Sequence, residues 1–370
     1  MNLIKKSVLT LTFLLFIAFV FAFSSFAAEN GVRKKLFEPQ GGLMSVSYRG
    51  SGTGERENSA AAVAAAVMDG ADMVSVSVQK SDEGFVLSAT GDSFEEAVAA
   101  VRGNALLIVD GAWNFKDELV SFAREKEFLS SIVLRTEESE KKVAQWCAEN
   151  SDVAVIGVYR GNIVFNAISH LNTAKKAGQP LVQYQSKNYF NVMYDSFTAS
   201  RYSAESGGSY NPRALSPTYD ETLCGKRGDN VVGWDELFDR GFSVIETRNI
   251  KGLVAYIDET REAQKELETL VASADSADTS FLSSVGKKNL SKALFAAHDV
   301  LKDKNSPLSA FQSAESSLLA SLNAADNGDE NKSEKGALNI TAAKVFAVAF
   351  FGALIVAAQV FVYKKKEKAA

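Results

Sequence analysis

The sequence predicts a parallel α/β barrel of the (β/α)8 type, followed by a small three-helix bundle and a single membrane-spanning helix. Three observations lead there. From Leu43 to about Ile257, apolar runs of strand length alternate with runs of helical period, and repeated βα units imply a parallel sheet. About eight such units in some 215 residues suit a closed barrel. Beyond Glu259 the strand signals stop and amphipathic helical stretches take over.

The first unit is the clearest. Leu43 to Tyr48 has the β-branched alternation of a strand. Glu57-Asn58-Ser59 caps an alanine-rich helix, Gly70 ends it, and Met73 to Val78 alternates apolar residues with Ser as a second strand. A hairpin through Asp82 to Leu87 follows. Ala105–Val109, Ser131–Leu134, Val153–Val158, Pro180–Tyr184 and Phe242–Glu246 read as buried strands. Phe115–Lys126, Glu137–Asn150, Asn162–Ala177 and Trp234–Arg240 read as the helices between them. Ala204 to Asn230, rich in Gly, Ser, Pro and charge, reads as a long loop in the weakest unit. Gly50-Ser-Gly-Thr-Gly54 lacks the Gly-Lys-Ser/Thr ending of a Walker loop and reads as a flexible loop.

Residues 258–325 form the expected bundle. Ala263, Leu267, Leu270 and Ala274 share one helix face, Leu290, Leu294, Ala297 and Leu301 a second, and Leu308, Phe311, Leu318 and Leu322 a third. Polar residues 326–339 read as a stalk.

The two ends of the chain point to export. Lys5 and Lys6, an apolar run from Val8 to Phe23, and Ser25-Phe26-Ala27 make residues 1–27 a signal peptide, with an uncleaved anchor as the alternative. Residues 340–363 are the expected membrane helix. Within them Val345 to Tyr363 holds one polar residue, Gln359, and spans roughly 28 Å, about one hydrocarbon core. Lys364-Lys365-Lys366 begins the basic tail 364–370, which puts the tail in the cytoplasm and the bulk of the chain outside. Lys366 and Lys368 also fit a Lys-x-Lys-x-x retrieval signal of a eukaryotic chain. A net charge of −5 gives no reason to expect nucleic acid as a partner. Two cysteines, Cys147 and Cys224, exclude a disulfide-rich scaffold and leave their own pairing open.

Arg49-Gly50, Glu57-Asn58-Ser59, Gly70-Ala71-Asp72 and Glu83-Gly84 resemble the opening of the glycerophosphodiester phosphodiesterase family, a TIM-barrel family of the phospholipase-C-like type. Gly233-Trp234 and Arg240-Gly241-Phe242-Ser243-Val244-Ile245-Glu246-Thr247 resemble its last βα unit, with Arg248-Asn249 in place of the usual ending. The resemblance implies a barrel over residues 31–257. It also implies chemistry by two His and a carboxylate-bound Ca²⁺ or Mg²⁺. Tyr48 stands where the first His belongs, and Ser75 and Ser77 stand where the metal-binding Glu and Asp belong. Val300-Leu-Lys-Asp-Lys-Asn-Ser-Pro and the alanine-rich third helix resemble a FIVAR module, found on Gram-positive bacterial surfaces.

The candidate site follows from what is left. The only histidines are His170 and His298, and neither falls at the end of a barrel strand, where barrel chemistry takes place. Asp110 is the one carboxylate that could serve a metal, or it caps its loop. Arg49 and Arg135 follow or end strands and are the candidate anion-binding residues, because the guanidinium fork matches a phosphate edge. The alternative for Arg49 is an ion pair with an acid such as Glu57. Three functions fit. The first is a catalytically inactive barrel, without cofactor, that binds a phosphorylated glycerol, a lipid headgroup or a wall polymer. The second is a working phosphoric diester hydrolase with atypical catalytic groups, and the third is a structural module of the cell envelope.

Overall fold

The computed structural model describes residues 31–38, 40–101, 103–160, 164–185, 212–219, 228–280 and 282–327. The signal peptide, Cys224, most of the stalk, the membrane helix and the basic tail lie outside the described residues. Among the described residues no helix is long and apolar enough to cross a membrane.

A short helix α1 (31–37) precedes β1 (Met44–Ser47), α2 (Ala60–Met68) and β2 (Met73–Ser81). The hairpin strand β3 (Gly84–Leu87) and helix α3 (Phe94–Val101) follow. Then come β4 (Leu106–Asp110), α4 (Lys116–Glu125), β5 (Ile132–Thr136), α5 (Glu140–Glu149), β6 (Val155–Arg160), α6 (Val164–Lys176) and β7 (Leu181–Gln185). The last described barrel elements are β8 (Arg213–Pro217), α7 (Val231–Asp239) and β9 (Val244–Thr247). Eight strands pair in parallel, and β1 bonds both β2 and β9, so the sheet closes on itself. β3 lies outside the ring, antiparallel to β2. The predicted closed α/β barrel is the fold observed.

Strand alternation sorts the side chains into two layers. Met44, Val46, Met73, Leu106, Ile108, Val133, Ile156, Leu181, Leu215 and Val244 fill the barrel. Val74, Val76, Leu107, Val109, Ile132, Leu134 and Val155 face outward, against Val63, Ala66, Val98, Leu119 and Val143 of the helices. Each fully buried aliphatic side chain contributes about 1.5–3 kcal/mol. Helix α2 starts as expected: Ser59 accepts a hydrogen bond from the Ala62 N–H at 3.0 Å, and Gly70 follows the last turn with φ 91°.

Strand β8 corrects the sequence reading, because it lies inside the stretch expected to be a loop. Only Leu215 of its five residues packs in the barrel's apolar core. Its first residue, Arg213, is buried and bonds outward to carbonyls: Lys35 at 2.9 Å, Ser243 at 3.1 Å, and Gly42. Burial pushes the Arg213 pKa down to about 10, since carbonyls replace only part of the lost water. A strand held by a buried cation and ending in Pro carries no apolar alternation to read.

The described chain forms two compact units. One holds the barrel, residues up to Glu262 and Asp303–Ala310; the other holds Ala263–Lys302 and the chain from Phe311 on. Three helices build the second unit: the end of α8 (Ile250–Asp275), α9 (Ser284–Lys302) and most of α10 (Leu308–Asn327). They bury Leu267, Val271, Leu290, Ala297, Phe311, Leu318 and Leu322. Val271, rather than the expected Leu270, is the buried residue of its turn. α8 continues through residue 258 without a break.

Candidate binding site at the barrel mouth

The C-terminal ends of β1, β4, β5, β6 and β7 surround a cavity of about 440 Å³, lined among others by Tyr48, Arg49, Asp110, Arg135, Gln185 and Tyr219. Tyr48 and Arg49 extend β1 past its last ladder residue. The Tyr48 N–H donates to the Thr247 carbonyl at 2.9 Å, and the Arg49 N–H donates to Ser75 Oγ at 3.1 Å. The Arg49 carbonyl accepts from the Asn58 N–H at 2.8 Å. Arg49 adopts φ 52°, a left-handed conformation uncommon outside Gly and typical of constrained functional positions.

The loop after Arg49 is a built turn rather than a loose one. Ser51 Oγ donates to the Tyr48 carbonyl at 2.6 Å, and Thr53 Oγ1 to the Gly50 carbonyl at 2.7 Å. Gly52, at φ +80°, lies so close to Arg248 that a Cβ there would meet its carbonyl oxygen at 2.2 Å. Only glycine fits.

Arg135 projects from β5 into the mouth and is almost completely buried. All five of its N–H donors are used. Nε and Nη2 bond Asp110 at 2.6 Å each, Nη1 bonds Gln183 at 2.9 Å and Glu246 at 2.5 Å, and Nη2 also reaches Glu246 at 3.1 Å. Burial works against the charge on Arg135, but Asp110 and Glu246 outweigh it and hold its pKa well above the ordinary value. Arg135 is therefore at the mouth, as expected, with no donor left for an added anion.

Arg49 is the opposite case. Its Nε is buried without a hydrogen-bond partner, and among the described residues no carboxylate pairs with it, Glu57 included. Its guanidinium carbon lies 5.1 Å from the centre of the Tyr48 ring. Tyr48 stacks on Tyr219, centroids 3.9 Å apart and planes 19° apart. Burial, then the nearby Glu246, pushes the Tyr219 phenol above its ordinary value, so it stays protonated. Gln185, also buried, lines the same site, and its Oε1 has no hydrogen-bond partner.

The residues at the metal position that the sequence resemblance implies do not fit a divalent cation. Both Asp110 oxygens accept from Arg135, and Ser75 Oγ accepts from the Arg49 N–H. The Ser77 backbone is paired in both directions with the Asn58 amide, at 2.7 and 3.0 Å. Among the described residues no three His, Cys, Asp or Glu converge. His170 is buried elsewhere, its Nδ1 3.0 Å from Glu140. His298 belongs to the helical unit, 3.0 Å from Asp275.

Sequence reasoning missed Glu246, Gln183, Gln185 and Tyr219. A Glu near the end of an otherwise apolar strand was a readable signal for the first. Tyr219 offered none, because the strand before it was itself unread.

No family model matches the chain, and no curated protein matches it. Solved structures do align with it. A glycerophosphoryl diester phosphodiesterase from Parabacteroides distasonis aligns at 11% identity and TM-score 0.44, over 59% of this chain and 87% of that one. An Oleispira antarctica phosphodiesterase in complex with the product sn-glycerol-3-phosphate aligns at 12% identity and TM-score 0.41, over 59% and 97%. A tryptophan synthase from M. tuberculosis aligns at 13% identity and TM-score 0.39, over 63% and 92%.

Proposed function

We propose that this chain is an exported, membrane-tethered relative of the glycerophosphodiester phosphodiesterases that binds a phosphorylated glycerol-type group and does not hydrolyse it. The group could belong to a free glycerol phosphate, a lipid headgroup or a wall polymer. One observation carries the reading: Arg49 lines a polar cavity at the barrel mouth, its Nε has no hydrogen-bond partner, and no carboxylate among the described residues pairs with its guanidinium. An anion in that cavity supplies the counter-charge that the described residues do not give this guanidinium. The family motifs around Arg49 and Gly233-Trp234 support the descent. The replacement of His by Tyr48, and of two carboxylates by Ser75 and Ser77, supports the loss of turnover. General acid–base help alone contributes typically about 10²–10⁴-fold.

The tether rests on Val345–Tyr363 and the lysines after it. Protease added to intact cells should digest the barrel and spare the tail; digestion of the tail would reverse the orientation.

Titration calorimetry on the purified full chain, without metal, tests the binding. sn-Glycerol 3-phosphate or a glycerophosphodiester should bind at millimolar concentration or below, glycerol should not, and Arg49→Ala should lose the signal. Equal binding by parent and Arg49→Ala sinks the site. Hydrolysis of the diester that rises with Ca²⁺ or Mg²⁺, well above a Tyr48→Ala control, makes the chain a working hydrolase instead.

A further inference from the structure

We propose that Arg49 and Arg248 form a two-guanidinium clamp over Tyr48 that selects a phosphomonoester, a dianion, over a phosphodiester, a monoanion. The proposal rests on the anion-binding reading of the mouth and adds the class of phosphate that it takes.

The Arg248 guanidinium carbon lies 5.2 Å from the centre of the Tyr48 ring, against 5.1 Å for Arg49. The two carbons are thus no farther apart than about twice that distance, and the clamp requires that a single phosphate and its oxygens span the gap between them. Among the described residues the contact seen for each guanidinium is the Tyr48 ring, with no ion pair to a carboxylate, although the Arg248 backbone N–H meets Asp229. By contrast, the other cations near the mouth are matched: Arg135 by Asp110 and Glu246, and Arg160 by Glu137. Two like charges held against one aromatic ring repel each other, and the ring quadrupole offsets only part of that.

The backbone keeps Arg248 where it is. Its N–H donates to Asp229 Oδ2 at 2.8 Å, and Asp229 is itself anchored by the Trp234 indole at 2.9 Å and Thr218 at 2.7 Å. On the other side, Gly52 admits the Arg248 carbonyl at a separation no other residue would tolerate. The Arg49 loop and the Arg248 loop are therefore seated on one another, with the guanidiniums left to a ligand. A phosphomonoester carries close to two charges above its second pKa of about 6 and has three free oxygens, enough to occupy both forks. A diester has one charge and two free oxygens, and satisfies one fork.

The test is titration calorimetry at pH 8 with sn-glycerol 3-phosphate and bis(glycerol) phosphate on the parent, Arg248→Ala, Arg248→Lys and Arg49→Ala. The parent should favour the monoester by about tenfold or more, the value of one charge-assisted hydrogen-bonding group. Arg248→Ala should weaken the monoester to the level of the diester and leave the diester unchanged. Arg248→Lys should keep part of the preference through its charge. Arg49→Ala should weaken both. The Arg248 side chain is exposed, so its variants should melt with the parent. Equal affinities in the parent, or an Arg248→Ala that weakens both ligands alike, overturns the clamp and leaves the anion site standing. A parent that binds neither ligand removes both.

Discussion

Arg135 and Glu246, separated by 111 positions, meet inside the barrel at 2.5 and 3.1 Å. The Glu246 side chain is 0% exposed and that of Arg135 6%. Removing one partner from such a pair leaves an uncompensated charge out of water, which costs about 3–5 kcal/mol. Arg135→Met should therefore lower the urea midpoint steeply. Arg135→Met with Glu246→Leu should recover much of the loss, because Asp110, at 24% exposure, can hydrate on its own. The pH dependence has a definite sign. The folded pKa of Arg135 is raised, so its contribution is whole below the unfolded value and fades only above it. Alkaline titration to pH 11 should not weaken this pairing. An Arg135→Met protein as stable as the parent would show that the network carries no weight.

Chain order sets a limit on how such a site can be read. Strands with apolar alternation were legible one at a time, and their number was enough to imply closure. Arg49 and Arg135 were legible as cations at strand ends. What separates them is partnership: Asp110 lies 25 positions from Arg135 and Glu246 lies 111, and only the closed ring brings them together. β8 escaped because Arg213 holds it by hydrogen bonds to carbonyls, a device that leaves no periodic trace. The turn at Gly52 looked loose for a similar reason, since its glycine answers to Arg248 near the other end of the barrel.

Cys147 offers a probe of the folded state. It is 3% exposed among the helices outside the sheet, and burial pushes its thiol up to about 11. The thiolate is the nucleophile, so at pH 7.5 Cys147 should resist iodoacetamide in the folded protein and react once urea unfolds it. Peptide mass spectrometry reads the site directly. Prompt alkylation in native buffer would mean that this helix opens far more readily than its packing suggests.

Glu315, in the helical unit, is held the other way. Burial raises its pKa, and nearby Glu266 adds to the shift. A carboxyl with a raised folded pKa binds more protons folded than unfolded, so stability falls as pH climbs from the unfolded value to the folded one. Glu315→Gln should raise the unit's melting temperature at pH 7, and the gain should vanish below about pH 4, near the unfolded Glu value, where the parent is protonated too. A variant that melts below the parent at pH 7 would reverse the sign and refute the account.

The connector Asp303–Ala310 is tied to the rest of the barrel's unit by several hydrogen bonds, and a buried one among them runs to a phenol. Tyr256, 2% exposed, donates from its hydroxyl to Asp235 Oδ1 at 2.8 Å and accepts from the Leu308 N–H at 3.0 Å. Its ring stacks on Phe238 at 5.7 Å. Tyr256→Phe keeps the ring and removes only the oxygen. The Leu308 N–H is buried, so it is left without an acceptor, a loss of about 1–3 kcal/mol. Ser309 supplies a control, because its Oγ also reaches Asp235 but from an exposed position. Ser309→Ala should cost less than about 1 kcal/mol, since water can replace the hydroxyl. Hydrogen exchange separates the two at residue level. In Tyr256→Phe the Leu308 amide should exchange through local opening, well before the barrel strands, whereas in Ser309→Ala it should stay protected. If Leu308 keeps its protection in Tyr256→Phe and the denaturation midpoint does not move, the phenol is not what holds the connector, and the packing of its ring on Phe238 or the connector's other hydrogen bonds must be.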